Sequence, residues 1–219
     1  MAANPEPAPS RRGIPFVVSA PSGTGKTTVC RALVASDSNL RFSVSHTTRA
    51  PRPGERDGVD YWFVSRERFA ELAAEGAFLE HAEYAGNRYG TSRAAIDGPL
   101  AKGVDLLLEI DVQGARQIRA RRPDARLVFL LPPSREALEA RLRGRGSDGP
   151  DVIRARLELA RRELEAVELF DYVVVNEALD RCVAAVREIV DAERRGAGAD
   201  ARRVHGRDVV WPARAGLLR

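Results

Sequence analysis

An α/β fold, with a parallel sheet covered by helices, is what this sequence predicts, and three observations predict it. Short apolar runs alternate with amphipathic helical patterns along most of the chain. One Gly-rich turn joins the first such run to the first such helix, and residues from about 46 to 90 break the alternation. Buried strands alternating with helices specify a parallel sheet covered on both faces. The irregular stretch reads as an inserted, mostly β subdomain, and residues 143–156, which open on a Gly-rich break, read as a mobile lid.

Each element follows from local pattern. Residues 14–19 (IPFVVS) are apolar and β-branched, as a buried strand requires, and a helix then runs to about 35. Residues 42–45 read as a second strand. Pro51, Pro53 and Gly54 exclude regular structure from the loop that follows, and 61–64 resumes as a strand. Ser65 has the side chain to cap a helix reaching Gly76, with Phe69 and Leu72 facing inward. Residues 78–84 (FLEHAEY) form a strand that turns at Gly86-Asn87 into another near Tyr89, and a helix covers about 92–102.

Residues 104–110 form a strongly apolar strand, followed by a helix over about 114–122 and a buried strand at 127–131. Pro132-Pro133 stop that strand and Ser134 caps a helix to Arg143. After the break at 144–150 a long helix runs to about 169, residues 172–175 (YVVV) form the last strand, and 179–194 the last helix. The expected organisation is a flexible tail at 1–12 and one domain at 13–196. Its core is 13–45, 91–142 and 157–196, and a basic tail of unassigned role follows at 197–219.

Charge is unevenly placed. The 219 residues carry a net charge of +4, but 194–219 hold seven arginines against Asp200 and Asp208, which leaves 13–193 slightly acidic. Specific nucleic-acid binding is therefore not expected, and the tail reads as a solvated segment by charge, while the apolar residues of 204–219 leave docking on the domain, self-association and disorder open. No apolar run approaches the roughly 18 residues that span a bilayer, and the N-terminus lacks the apolar stretch of a signal peptide. The expectation is a cytoplasmic protein. Cys30 and Cys182 lie far apart, in no metal-ligand spacing and each within a helical pattern, so both read as small buried hydrophobes. The oligomeric state is not legible.

Of the 35 basic residues only Lys26 and Lys102 are lysine. Where a generic cation suffices this chain uses Arg, so Lys26 marks a place that needs a compact ammonium. It closes the run Ala20-Pro21-Ser22-Gly23-Thr24-Gly25-Lys26-Thr27, followed by Thr28, which matches the P-loop pattern with Ala20 in place of its first Gly. Small residues let consecutive N–H groups curl round a phosphate, and the helix start behind them adds its dipole. In such loops the lysine reaches the β- and γ-phosphates of ATP and the hydroxyl, here Thr27, holds Mg²⁺.

Beyond that motif, the stretches SAPSGTGKTT (19–28), SVSHTTRAPRPGERDGVDYWF (43–63), FLEHAEYAGNRYGTS (78–92), LLLEIDVQGARQI (106–118), LRGRG (142–146) and YVVVNEAL (172–179) occur in one order and spacing. Over 14–194 the chain resembles the guanylate kinase family, its bacterial members above all. The resemblance implies a P-loop nucleoside monophosphate kinase-like fold and transfer of the γ-phosphate of ATP to GMP, with dGMP a second acceptor and Mg²⁺ as cofactor. It implies that Ser45, Glu80 and Thr91 read guanine and that Arg49, Arg52, Tyr61 and Tyr89 hold the GMP phosphate. Glu55 and Asp111 map onto acceptor-site positions, Asn176 onto the adenine side, and Arg141, Arg145 and Arg156 onto arginines that close on the transferring phosphates.

The residues themselves are compatible with these roles but do not select them alone. Guanine offers two donors, N1–H and the exocyclic amine, which a carboxylate accepts together; Glu80 is such a reader or a strand carboxylate facing solvent. Arg49 and Arg52 suit a forked grip on one phosphate, or a charged surface loop. Tyr61 and Tyr89 are hydroxyl donors or core residues. Arg141, Arg145 and Arg156 flank a Gly-rich hinge, although any one of them reads equally as a solvated helix arginine. His46 and His81 receive no role. Glu109, where many family members carry Asp, ends the apolar strand beside Asp111 and is a metal-side candidate, directly or through water. The rival readings are a non-catalytic module of the same fold and a P-loop kinase with another acceptor.

Overall fold

The computed structural model describes residues 11–84, 86–144 and 149–218. The chain opens with β1 (Pro15–Ser19), buried at every position, and turns through the Gly-rich loop into α1 (Lys26–Ala35). β2 (Leu40–Phe42) follows, and a crossing leads to β3 (His46–Thr47), β4 (Trp62–Phe63) and α2 (Arg66–Ala74). The Ser65 hydroxyl caps α2 by accepting the Arg68 N–H. Next come β5 (Phe78–Tyr84), β6 (Asn87–Ser92), α3 (Arg93–Ala101), β7 (Asp105–Glu109) and α4 (Val112–Arg121). The second half holds β8 (Arg126–Leu131), α5 (Arg135–Arg143), α6 (Pro150–Leu164), a 3-10 turn (Glu165–Leu169), β9 (Tyr172–Val175) and α7 (Leu179–Arg194). It ends with α8 (Gly198–His205), α9 (Arg207–Val210) and a 3-10 segment (Pro212–Leu218).

Five strands form one sheet in the order β2-β7-β1-β8-β9, and every pairing in it is parallel. Because side chains alternate along a strand, β1 sends Val17 to one face and Phe16 and Val18 to the other. Val17, Leu106, Leu108, Leu127 and Phe129 meet α3 and α4 through Ile96, Leu100, Ala115 and Ile118. Phe16, Val18, Leu107, Val128 and Leu130 meet α1 and α7 through Val29, Leu33, Val186 and Ile189. Cys30 and Cys182 are free thiols buried in this second layer. Each fully buried Leu or Ile contributes roughly 1.5–3 kcal/mol, so the two layers carry most of the fold.

A second, mixed sheet, β4-β3-β6-β5, stands apart from the first, with β3 parallel to β4 and antiparallel to β6. Phe69 of α2 stacks on Phe78 of β5 with ring centroids 4.6 Å apart, and both crowd the backbone of Gly90, where a Cβ would lie 3.0 Å from Phe78. No described helix is long and apolar enough to cross a membrane.

Three expectations are corrected. The strand expected at 42–45 is shifted: β2 ends at Phe42, because beyond the Ser43 N–H bond to Leu107 O the chain leaves the large sheet to pair His46 with Gly90 in the small one. The long helix ends at Leu164, and 165–169 tighten into a 3-10 turn. The helix expected to be last is followed by three more helical segments, and 197–218 dock on the domain. Gly206 bridges Tyr172 beside β9, and the Arg207 N–H donates to Asp171 O. Ala201 is buried in the α1–α7 layer. Glu193, buried and ion-paired to Arg126 at 2.8 Å and Arg202 at 3.4 Å, accepts the Tyr172 hydroxyl and draws α8 in. A basic composition predicted solvation; these few anchoring contacts outweigh it.

Candidate active site

The Gly-rich loop lies at the carboxyl end of β1, where open parallel sheets present ligands. Gly23 and Gly25 hold φ of 90° and 95°, the left-handed region that disfavours a side chain. A Cβ on Gly25 would lie 2.9 Å from Asn176 Nδ2, and one on Gly23 2.8 Å from Leu142. The loop is gripped from both sides. Its Thr24 carbonyl accepts from Asn176 Nδ2 at 2.7 Å and from Arg141 Nη1 at 3.0 Å, and its Ser22 N–H donates to the Glu163 carboxylate at 2.9 Å. Lys26 Nζ donates to Ile110 O at 2.8 Å, which aims the ammonium across the end of β7.

A cavity of about 310 Å³ runs from this loop to the small sheet. Ala20, Pro21, Ser22, Gly23, Gly25, Lys26, Thr27 and Thr28 line one end, Glu109, Ile110, Asp111 and Glu163 the middle, and Ser45, Tyr61, Glu80, Ala82 and Tyr89 the other. Asp111 caps α4 by accepting the Gly114 N–H at 2.8 Å, which fixes its carboxylate at the cavity wall. The Thr27 hydroxyl donates to Glu109 at 2.5 Å.

At the far end Glu80 is 3% exposed. Thr91 donates to it at 2.6 Å and lies 3.1 Å from the Ser45 hydroxyl; with the Thr91 proton committed to Glu80, Ser45 donates to Thr91. Burial, reinforced by Asp111, pushes the Glu80 carboxyl up to about 7 against the opposing Thr91 bond. Gly114 makes the arrangement possible, since a Cβ there would stand 2.6 Å from Glu80 Oε2.

Arg49 is held by both oxygens of Glu55 at 2.9 Å, and its guanidinium sits 5.4 Å from the Tyr61 ring centroid. That pairing holds the Glu55 carboxyl below its ordinary range. The rings of Tyr61 and Tyr89 meet edge to face at 6.1 Å. Arg52 presents its backbone N–H to Glu55 while its side chain is exposed.

The sequence-derived candidates therefore divide. Ala20–Thr28 apart from Thr24, with Ser45, Tyr61, Glu80, Tyr89, Glu109 and Asp111, share one cavity, and Thr91 backs Glu80. Arg49, Arg52 and Glu55 form a cluster next to Tyr61. Arg141 and Asn176 lie behind the phosphate loop, where with Thr24, Gly25, Thr28 and Leu179 they line a smaller cavity of about 180 Å³. Arg156 is half-buried on α6 and is not among the residues lining either cavity. Arg145 lies outside the described residues. Two residues were missed, Gly114 and Glu163. The signal for Glu163 was its spacing: with Ile153, Arg156, Leu157, Ala160 and Leu164 it forms the inward stripe of α6, a place where a carboxylate is anomalous.

The model of the family described as guanylate kinase matches residues 12–193. Among relatives, a guanylate kinase from Alkalilimnicola ehrlichii is 54% identical over 182 residues, covering 83% of this chain and 90% of its own. One from Neisseria meningitidis serogroup A is 53% identical over 184 residues, covering 84% and 90%. The crystal structure of guanylate kinase from Anaplasma phagocytophilum superposes with a TM-score of 0.68 at 38% identity, over 84% of this chain and 87% of that one. With the phosphate loop, the two sheets and the buried carboxylate all in one cavity, the chain belongs to the guanylate kinase family.

Proposed function

We propose that this protein transfers the γ-phosphate of ATP to GMP, and to dGMP, giving ADP and GDP. The observation that carries the reading is the single cavity joining the phosphate loop at one end to the Glu80–Thr91–Ser45 chain at the other. A phosphate donor and a donor-edged base fit into it facing each other. Two ends of matched chemistry, separated by room for phosphates, are what a direct transfer needs.

The loop N–H groups and Lys26 hold the β- and γ-phosphates of ATP. The second cavity, beside Arg141 and Asn176, suits the nucleobase of the donor. Ionised Glu80 accepts N1–H and the exocyclic amine of guanine, whereas adenine would set its N1 lone pair against the carboxylate. Tyr61 and Tyr89 offer hydroxyls to the GMP phosphate, and Arg49, released in part from Glu55, offers its fork. A GMP phosphate oxygen attacks the γ-phosphorus, the bond from that phosphorus to the β–γ bridging oxygen breaks, and the electron pair leaves on ADP. The attacking oxygen is already anionic, so no side-chain nucleophile or general base is required. By the resemblance, Arg141, Arg145 and Arg156 are the cations expected to neutralise spreading charge; Arg141 already holds the loop at Thr24 O.

Mg²⁺ fits the donor chemistry at Thr27 and Glu109, two hard oxygen ligands in contact at the phosphate end. When bound, it would neutralise phosphate charge. A coupled ADP-release assay with ATP, Mg²⁺ and each of GMP, dGMP, AMP, CMP and UMP tests the reading. Release with GMP and dGMP alone is expected. Release with another acceptor would displace guanine recognition, and tight GMP binding without release would make the chain a binding module.

A further inference from the structure

Glu163 occupies an expensive position. It sits one residue from the C-terminal end of α6, where the helix dipole is unfavourable to an anion. It is half-buried on the inward stripe of the helix and faces Asp111, and burial raises its carboxyl above the ordinary glutamate range. Only the Ser22 N–H and the charge of Lys26 oppose these penalties. A neutral residue would serve α6 better, so what the carboxylate does for the phosphate loop has to account for it.

The loop has few fixed points. The Thr24 N–H closes a turn on Pro21 O, while the Ser22 N–H donates outside the loop. Glu163 takes that N–H from one flank, while Arg141 and Asn176 take the Thr24 carbonyl from the other. Arg141 lies in the last turn of α5 and Glu163 in the last turn of α6, the helices on either side of residues 144–149. Both stems of the expected lid thus grip the phosphate loop, with the strained Gly23 between them.

We propose that Glu163 is a positioning residue for the donor nucleotide: from the base of α6 its carboxylate accepts the Ser22 N–H and holds the phosphate loop open before ATP arrives. The claim rests on the reading of this loop as the ATP site. A loop already shaped loses little further freedom on binding. Without the clamp that ordering is charged to ATP affinity, whereas the acceptor end, built by β3, β5 and β6, is untouched.

Glu163→Ala should raise the KM for ATP about tenfold, the scale set by one charge-assisted hydrogen bond, with the KM for GMP within about twofold. Glu163→Gln keeps an oxygen at the same reach but not the charge, and should recover part of the loss in ATP KM. Glu163→Asp withdraws the carboxylate by one methylene and should behave like Ala. ADP binding by titration calorimetry should follow the same order. If the Ala variant fails to fold, the Gln and Asp variants decide alone. Unchanged ADP affinity in Ala or Asp, equal rises in both KM values, or a Gln variant as weak as Asp would overturn the proposal. The calorimetry needs no phosphate transfer. Loss of ADP affinity in a protein whose wild type does not phosphorylate GMP would therefore overturn the proposed reaction and leave this inference standing.

Discussion

The Thr91 hydroxyl donates to the Glu80 carboxylate across 2.6 Å, in a site where Glu80 is 3% exposed. Burial raises that carboxyl to about 7, so near neutrality the empty site holds the acid and the anion in comparable amounts. Guanine offers donors to the pair, and only the anion accepts both. Below about pH 7 the apparent GMP affinity should fall up to tenfold per unit as a proton must first be lost, and above it should level off. The phosphate of GMP titrates near 6 as well, so the comparison with Glu80→Gln is decisive. That variant should bind GMP more weakly, tolerate AMP better and lose the component near 7. Parallel pH profiles for the two proteins would remove Glu80 as the reader.

Gly114 tests the same contact from the opposite side. A methyl at this position would stand 2.6 Å from Glu80 Oε2, and the helix backbone around it is fixed by the Asp111 cap. Gly114→Ala should push the carboxylate out of line and raise the KM for GMP by one to two orders of magnitude, the range of a misaligned charged hydrogen bond. ADP affinity, measured by calorimetry, should stay within about twofold. A GMP KM unchanged from wild type would mean that Glu80 moves freely and that its position is not what selects the base.

Lys26 donates to Ile110 O at 2.8 Å and lines the cavity. Lys26→Ala should lower kcat by about 10³-fold, the magnitude typical of a lost preorganised charge, with little change in melting temperature because no ion pair among the described residues is broken. Normal turnover in this variant would remove the phosphate-loop assignment.

Much of this was legible in residues, and what escaped has physical reasons. The strands at 78–84 and 172–175 and the helix at 179–194 were readable to the residue, because apolar period and flanking turn residues agree there. Ser65 and Ser134 announced two caps, and each accepts the N–H three residues on. The P-loop was readable because its chemistry depends on backbone, and backbone geometry leaves a glycine signature. The docking of 197–218 was not, since composition describes solvation and says nothing of partners such as Glu193, reached by Arg202, and Tyr172, whose hydroxyl reaches the Gly198 carbonyl. The cavity-facing role of Glu163 was hidden for a similar reason: in an Arg- and Glu-rich helix a single inward carboxylate differs from its neighbours only by phase.

Asp105 opens β7 with no exposed side-chain surface, and it is charged. Burial alone would raise its carboxyl; two bonds from Arg11 at 2.7 Å, the Ile14 N–H and Arg194 outweigh that and hold it below the usual aspartate range. Because the folded value is depressed, the stabilisation is present above the unfolded value of 3.8 and is lost as pH falls through the folded one. Asp105→Ala takes Arg11 from its carboxylate and leaves Arg194 with Asp37 and Asp191, and should cost about 1–3 kcal/mol, read as a lower urea midpoint at pH 7 with kcat preserved at low temperature. The difference from wild type should shrink as both are acidified below pH 3.8. A pH-independent difference would assign the loss to packing.

Removal of 197–219 tests whether the docked segment belongs to the domain, since the family match ends at 193 while ordered contacts continue. Truncation uncovers the α1–α7 layer at Ala201 and takes from Glu193 its Arg202 partner, and from Tyr172 the Gly198 carbonyl. Glu193 keeps Arg126 at 2.8 Å and the Tyr172 hydroxyl, so no buried charge is orphaned. The expected result is a loss of about 1–3 kcal/mol, from one apolar patch and weakened polar pairs, seen as a lower melting temperature. KM values for ATP and GMP should be unchanged, because neither cavity end draws a residue from beyond 193. Tyr172→Phe in the full chain should reproduce part of the loss, since it leaves Glu193 one donor short. A truncated protein as stable as the parent would show that 197–218 rest on the surface without contributing to it. A truncated protein with altered ATP KM would instead connect Leu217, which lines a groove with Leu157 and Leu164 of α6, to the helix that carries Glu163.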